Sequence, residues 1–225
     1  MSDDIEQWLI ATSNGWLHGN DLPEDQILKN FVAYYHLTAD TKTRDALGVE
    51  PVLPLIALYQ SFNSFAEFVS HIVTLEKSGF PNALPFGIEP DFKDAQTNVL
   101  WAGALSLLLP DTTYYEKDHE QGQTLLKKFR EEQELLLPHF GFSAAETTDL
   151  IDKYLALDAR AAAVVLSQEE NHEYAKLYHP YDWEKFTKLA PELPLDDILT
   201  DLIGQHPDKI IVPEERFWAA ADQFY

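Results

Sequence analysis

A chain of 225 residues is long enough for one large domain or two small ones, with a core that hides roughly 70% of the surface exposed on unfolding. Sixteen Lys and Arg against 38 Asp and Glu leave a formal charge of −22, which repels phosphate backbones and anionic membranes and argues against a nucleic-acid partner. With no cysteine, the chain cannot use disulfides, thiolate catalysis or Cys-ligated metal centres.

Residues 1–10 are acidic where a secretory signal is basic and then apolar, and no run approaches the length of a bilayer-spanning helix. A soluble, cytoplasmic chain is expected, and the lack of Cys suits a reducing compartment. After Pro23-Glu24-Asp25, Ile27, Phe31 and Tyr34 lie beside Leu28, Val32 and Tyr35 as one helical apolar stripe. Ser64-Phe65-Ala66-Glu67 has capping-box spacing and opens a second helix with Phe65, Phe68, Ile72 and Leu75 on one face, stopped by Gly79 and Pro81. Two short apolar runs, Leu84 to Ile88 and Asn98 to Trp101, flank the acidic, turn-prone stretch Glu89 to Asp94 and predict a small β-hairpin.

A further helix is predicted from about Asp118 to Leu137, with Leu125, Phe129 and Leu136 inward. Ser143-Ala144-Ala145-Glu146 is another capping box. The stripe behind it, Leu150, Tyr154, Leu157, Ala161 and Val165 with Ile151, Leu155, Ala162 and Leu166 alongside, suits a helix covered on more than one side. Asp182-Trp183-Glu184 opens a short helix, and segments Asp196 to Ile203 and Pro213 to Phe224 complete the series. With no repeat, low-complexity tract or Gly/Ser linker, the fold class is mainly α, a single multi-helix domain over 1–225 with an inserted β-hairpin.

The chemistry-bearing residues form no recognisable catalytic motif. The histidines are His18, His36, His71, His119, His139, His172, His179 and His206. His119-Glu120 and His172-Glu173 begin the zinc-hydrolase pattern, but Gln123 and Lys176 stand where its second His belongs. His172 and His179 are seven apart, with Pro180 marking a helix end, and read as surface residues. The carboxylate pairs Glu131/Glu132, Glu169/Glu170, Asp196/Asp197 and Asp197/Asp201 lie in polar sequence and read as solvated helix faces. No phosphate loop, dinucleotide fingerprint, nucleophile elbow or calcium loop is present. No catalytic and no metal-ligating residue is assigned, and the substrate-binding residues are left unknown.

Several short motifs, in order along the chain, resemble the N-terminal helical part of the neprilysin family of zinc endopeptidases, in particular its PepO-type bacterial oligopeptidases. They are Arg44-Asp45-Ala46-Leu47-Gly48-Val49-Glu50-Pro51, the hairpin from Leu84 to Trp101, and Leu109-Pro110-Asp111-Thr112-Thr113-Tyr114-Tyr115. Leu155-Ala156-Leu157-Asp158, Tyr178-His179-Pro180 and Ile211-Val212-Pro213-Glu214-Glu215-Arg216-Phe217 follow. The resemblance implies the non-catalytic helical lobe of a two-lobed peptidase, capping a chamber that admits only short peptides. The zinc, its His-Glu-x-x-His helix and the catalytic groups would then belong to the other lobe of the parent protein, and this chain would hold no cofactor and be inactive alone. The family's substrate-binding Arg precedes a helix that Asp3 to Ile10 resembles and has no counterpart here, so no functional residue carries over. The alternative is a stand-alone acidic helical interaction module that has lost the catalytic lobe.

Overall fold

A computed structural model describes residues 2–77 and 84–225. The chain divides into two compact units, Met1–Leu55 and Ile56–Tyr225.

The first unit holds α1 (Ser2–Leu17), α2 (Gln26–Ala39) and α3 (Thr41–Leu47); α4 (Leu53–Ser61) crosses the boundary in sequence. Asp25 starts α2 by accepting the amides of Ile27 and Leu28 at 2.8 and 3.1 Å, which satisfies two of the donors a helix start leaves free. α1 meets α2 through rings: Trp16 lies edge-on to Phe31 at 6.2 Å, and Phe31 stacks on Tyr35, whose hydroxyl donates to Asn14 at 2.9 Å. The predicted α2 stripe does not become a core. Only Val32 of that helix is buried, while Ile27 is 77% and Tyr34 66% exposed. Helical period identifies an apolar face, but not what covers it.

The second unit holds α5 (Phe65–Lys77), β1 (Phe86–Asp91), β2 (Asp94–Ala102), α6 (Glu120–Leu136), α7 (Ala144–Ala162), α8 (Gln168–Asn171), β3 (Pro180–Tyr181), α9 (Trp183–Thr187), α10 (Leu195–Ile203), β4 (Ile210–Ile211) and α11 (Glu215–Trp218). The mainly helical class with an inserted hairpin therefore holds, and the structure adds to it. β1 and β2 form the expected antiparallel hairpin from Phe86↔Ala102 to Asp91↔Asp94, so the acidic stretch is largely strand and only Phe92 and Lys93 turn. The sheet then continues in the order β1-β2-β4-β3, with β4 parallel to β2 and antiparallel to β3. Strands two residues long carry no alternation, which is why β3 and β4 escape a sequence reading.

The sheet, α5, α9, α10 and α11 enclose the core. Ile72, Phe186, Ile198, Leu199, Ile210, Phe217 and Trp218 are fully buried there, and burial of an aliphatic or Phe side chain contributes roughly 1.5–3 kcal/mol. Ser64 accepts the Glu67 amide at 3.2 Å as predicted, but Glu67 reaches back to the amide of Asn63, one residue earlier than a capping box requires. The expected stop at Gly79 and Pro81 lies outside the described residues.

α7 has a complete capping box between Ser143 and Glu146. Its inward residues are Thr147, Ile151, Asp158, Ala161 and Ala162, while Leu150 and Tyr154 are about two-fifths exposed. The helix ends at Ala162, so Val165 and Leu166 lie beyond it, and Ser167 starts α8 with a capping box of its own. Leu136, expected inward on α6, is 45% exposed. The predicted terminal helix is two pieces, α11 and a short 3-10 turn over Ala221–Gln223.

Candidate functional site

The segment following β2, from Gly103 to Asp111, has no regular structure and is held from both ends. The fully buried Trp218 donates its indole N–H to the carbonyls of Ala102 and Gly103 at 3.1 and 2.8 Å. Downstream, Asp158 projects from the inner face of α7, 6% exposed, and accepts the Leu108 amide at 3.0 Å through Oδ1. Its Oδ2 takes the hydroxyl of Tyr115, and that hydroxyl accepts the Leu109 amide at 3.1 Å. Burial first, and the bond to Asp158 second, push the Tyr115 phenol far up from its ordinary value, so it remains a donor.

Asp111 ties the end of the segment to α8. One oxygen accepts the Thr113 amide and hydroxyl at 3.0 and 2.7 Å, and the other accepts the Gln168 amide at 2.6 Å. The Gln168 amide, then that of Thr113, holds this carboxyl below the usual carboxylate range. Gln168 also donates to the Pro110 carbonyl at 2.8 Å.

A cleft of about 460 Å³ is lined by this segment together with Val165, Leu166, Gln168, Asn171 and Glu214. Glu214 is 8% exposed and accepts the Leu166 amide at 2.9 Å through Oε2. Burial raises its pKa; the bond from Leu166 and the nearby charge of Arg216 oppose the shift. Arg216 is held aside, donating to the Val165 carbonyl at 3.0 Å and to Glu170 at 2.9 Å.

The histidines weighed as metal ligands are scattered. His119 caps α6 by accepting the Gly122 amide at 3.0 Å, and His172 is an exposed residue at the end of α8. His179 precedes β3 with its Nδ1 3.4 Å from Glu215, and His206 stacks on Trp183 beside Asp196. Glu170 completes the α8 capping box, Glu131 pairs with Lys127 at 3.7 Å, and Asp196 accepts the Trp183 indole at 2.7 Å. Among the described residues no three His, Asp or Glu groups come together in a way that could hold a metal ion.

The structure instead joins stretches that resembled the family separately. Tyr115 of the Leu-Pro…Tyr-Tyr run meets Asp158 of the long helix, and Glu214 of the final segment lines the same cleft as Asp111. A signal for two of these was present in the sequence. Asp158 is a lone acid on an apolar helix face, and Glu214 directly follows Ile211-Val212-Pro213.

Fold and site together define a helix-dominated protein part with a small mixed sheet and a polar cleft. The profile of the N-terminal part of peptidase family M13 matches residues 1–225, and the chain belongs to that family, as the neprilysin-type resemblance implied. It is 52% identical over its full length to "Putative zinc metalloproteinase in scaA 5'region" of Streptococcus gordonii, of which it spans 40%. It is 31% identical over 204 residues to a neutral endopeptidase of Lactococcus lactis subsp. lactis, covering 90% of this chain and 32% of that one. The fold matches a crystal structure of PEPO from Lactobacillus rhamnosis with a TM-score of 0.84 at 20% identity, covering 100% of this chain and 35% of that one. Zinc metalloprotease ZMP1 of Mycobacterium tuberculosis, in complex with an inhibitor, matches with a TM-score of 0.79 at 16% identity, covering 98% of this chain and 34% of that one.

Proposed function

We propose that this chain is the non-catalytic helical cap of a zinc metalloendopeptidase acting on short peptides, with both units, 1–55 and 56–225, serving one cap domain. The reading is supported by family membership and by the fraction of each relative's length that the chain spans. The observation that carries it furthest lies in the first unit. Trp8 and Leu9 of α1 and Ile27, Phe31, Tyr34 and Leu37 of α2 are 43–77% exposed. So large an apolar display on so small a unit marks a surface made to be covered. The covering partner in this reading is the remainder of a longer family chain, which would also supply the zinc ligands.

The contribution of this chain is steric and dielectric. A packed cap excludes folded substrates and keeps a chamber poor in bulk water, where fixed dipoles stabilise developing charge more strongly. No step of the hydrolysis is assigned to its residues. The acidic surface disfavours nucleic acid, and no described helix is long and apolar enough to cross a membrane. Cytoplasmic location belongs to the same proposal.

The test is metal analysis and a quenched-peptide assay on the 225-residue chain. The expected result is no stoichiometric zinc and no turnover; one equivalent of zinc with turnover overturns the reading. In a longer family member, deleting this region should extend cleavage to larger substrates. Unchanged size selection would count against the cap.

A further inference from the structure

We propose that the cleft between Ala104–Leu107 and Glu214 binds an extended peptide bearing a basic group. The peptide's main chain would pair with that of Ala104–Leu107, and its cation would meet Glu214.

The first support is an unused edge. The sheet ladder stops at Ala102 opposite Phe86, and the chain continues past the Gly103 amide, which donates to the Pro85 carbonyl at 2.8 Å. The next fixed group is the Leu108 amide, on Asp158. Between these anchors, the amides and carbonyls of Ala104, Leu105, Ser106 and Leu107 have no partner among the described residues. Leu105 and Leu107 pack inward with exposed Ser106 between them, so side chains alternate in and out over these three residues. A stretch anchored at both ends, with its own main chain unpaired, offers an added peptide the main-chain partners that β-augmentation uses.

The second support is charge. Glu214 is nine-tenths buried, uses one oxygen for the Leu166 amide, and has no donor on the other among the described residues. No Lys or Arg lines the cleft, Asp111 adds a second acid, and Arg216 is committed to Val165 and Glu170. A carboxylate in such a setting favours an ammonium or guanidinium, and the net charge of −22 draws cations toward it. Burial alone disfavours the Glu214 anion, a penalty that an entering cation relieves.

The choice of a peptide rests on the peptidase reading above. The experiment measures binding without turnover, so loss of one reading is distinguishable from loss of the other. The probe is a short, end-blocked peptide alternating Val and Thr about a central Lys, compared with the same peptide carrying Glu there, added to the ¹⁵N-labelled 225-residue chain. The amides of Ala104, Leu105, Ser106 and Leu107 should shift on titration. The Glu peptide should bind roughly tenfold or more weakly, and Glu214→Gln should weaken the Lys peptide by a similar factor. Ser106→Pro, which deletes one edge amide without touching Glu214, should weaken both peptides and carries the test if Glu214→Gln misfolds. Shifts confined to other residues, or equal binding of the Lys peptide to the wild type and Glu214→Gln, would overturn the proposal. So would finding these amides already protected in a longer family member without added peptide.

Discussion

Replacing Gly122 by Ala sets helix propensity against packing, and the packing geometry decides the sign. Gly122 lies in the first turn of α6, buried, with its amide on the His119 ring. A methyl group there would lie 1.9 Å from the Tyr114 carbonyl oxygen and 2.8 Å from its carbon, whereas real Cβ contacts do not fall below 3.0 Å. The helix and the turn over Thr112–Tyr115 would have to part by about 1.1 Å, backbone against backbone. Tyr115, the next residue, holds Asp158, so the displacement would reach the anchor of the cleft segment. Propensity alone favours Ala over Gly by about 0.5–1 kcal/mol in a helix interior. Overpacking costs about 1–3 kcal/mol, and a contact with no flexible side chain to yield belongs at the upper end. The expected net loss is therefore about 2 kcal/mol, a fall in the urea midpoint of roughly 1 M at a slope near 2 kcal/mol per M. Far-UV circular dichroism during urea titration measures it. A midpoint equal to or above that of the wild type would refute the close approach of α6 to Tyr114.

Asp158→Ala should cost about 2–4 kcal/mol by stranding the Leu108 amide and the Tyr115 hydroxyl, and Asp158→Asn should cost less because one acceptor survives; thermal unfolding compares them. Asp91 is buried on the Lys209 ammonium, which, with the Lys93 amide, holds its carboxyl below the ordinary value of 3.8. Its stabilising contribution is present above that value and is lost as pH falls through the folded pKa, so Asp91→Asn should flatten the acid limb of stability followed by Trp fluorescence. Glu214 has the opposite sign. Its folded pKa is raised above 4.5, so the fold loses stability as pH rises from 4.5 through that raised value, and Glu214→Gln should remove this slope.

The sequence made the helices legible where capping chemistry and apolar period agreed. Asp25, Ser143 and Asp182 each start the helix expected of them, because a side-chain oxygen satisfying an orphan amide is a local matter. Ends and coverage were less legible. Nothing in the composition of 161–166 forces α7 to stop at Ala162, and Ser167, five residues on, starts a new helix with its own capping box. The hairpin was visible in its apolar runs, whereas β3 and β4 exist only because distant segments add to its edge. The cleft followed the same rule. Asp158 and Glu214 are far in sequence from Asp111 and Tyr115, and only the packing of α7 and the last segment shows that they serve one stretch of chain. The apolar face of α2 was read correctly as apolar, but period does not say whether it is covered, and only Val32 of that helix is buried.

Complementation puts the cap role to its sharpest test. The 225-residue chain is mixed with the separately produced remainder of the Streptococcus gordonii relative, and cleavage of a quenched short peptide is followed with zinc present. Turnover from the mixture and from neither part alone is the predicted result. Turnover by this chain alone, with zinc bound to it, would rule out a non-catalytic cap.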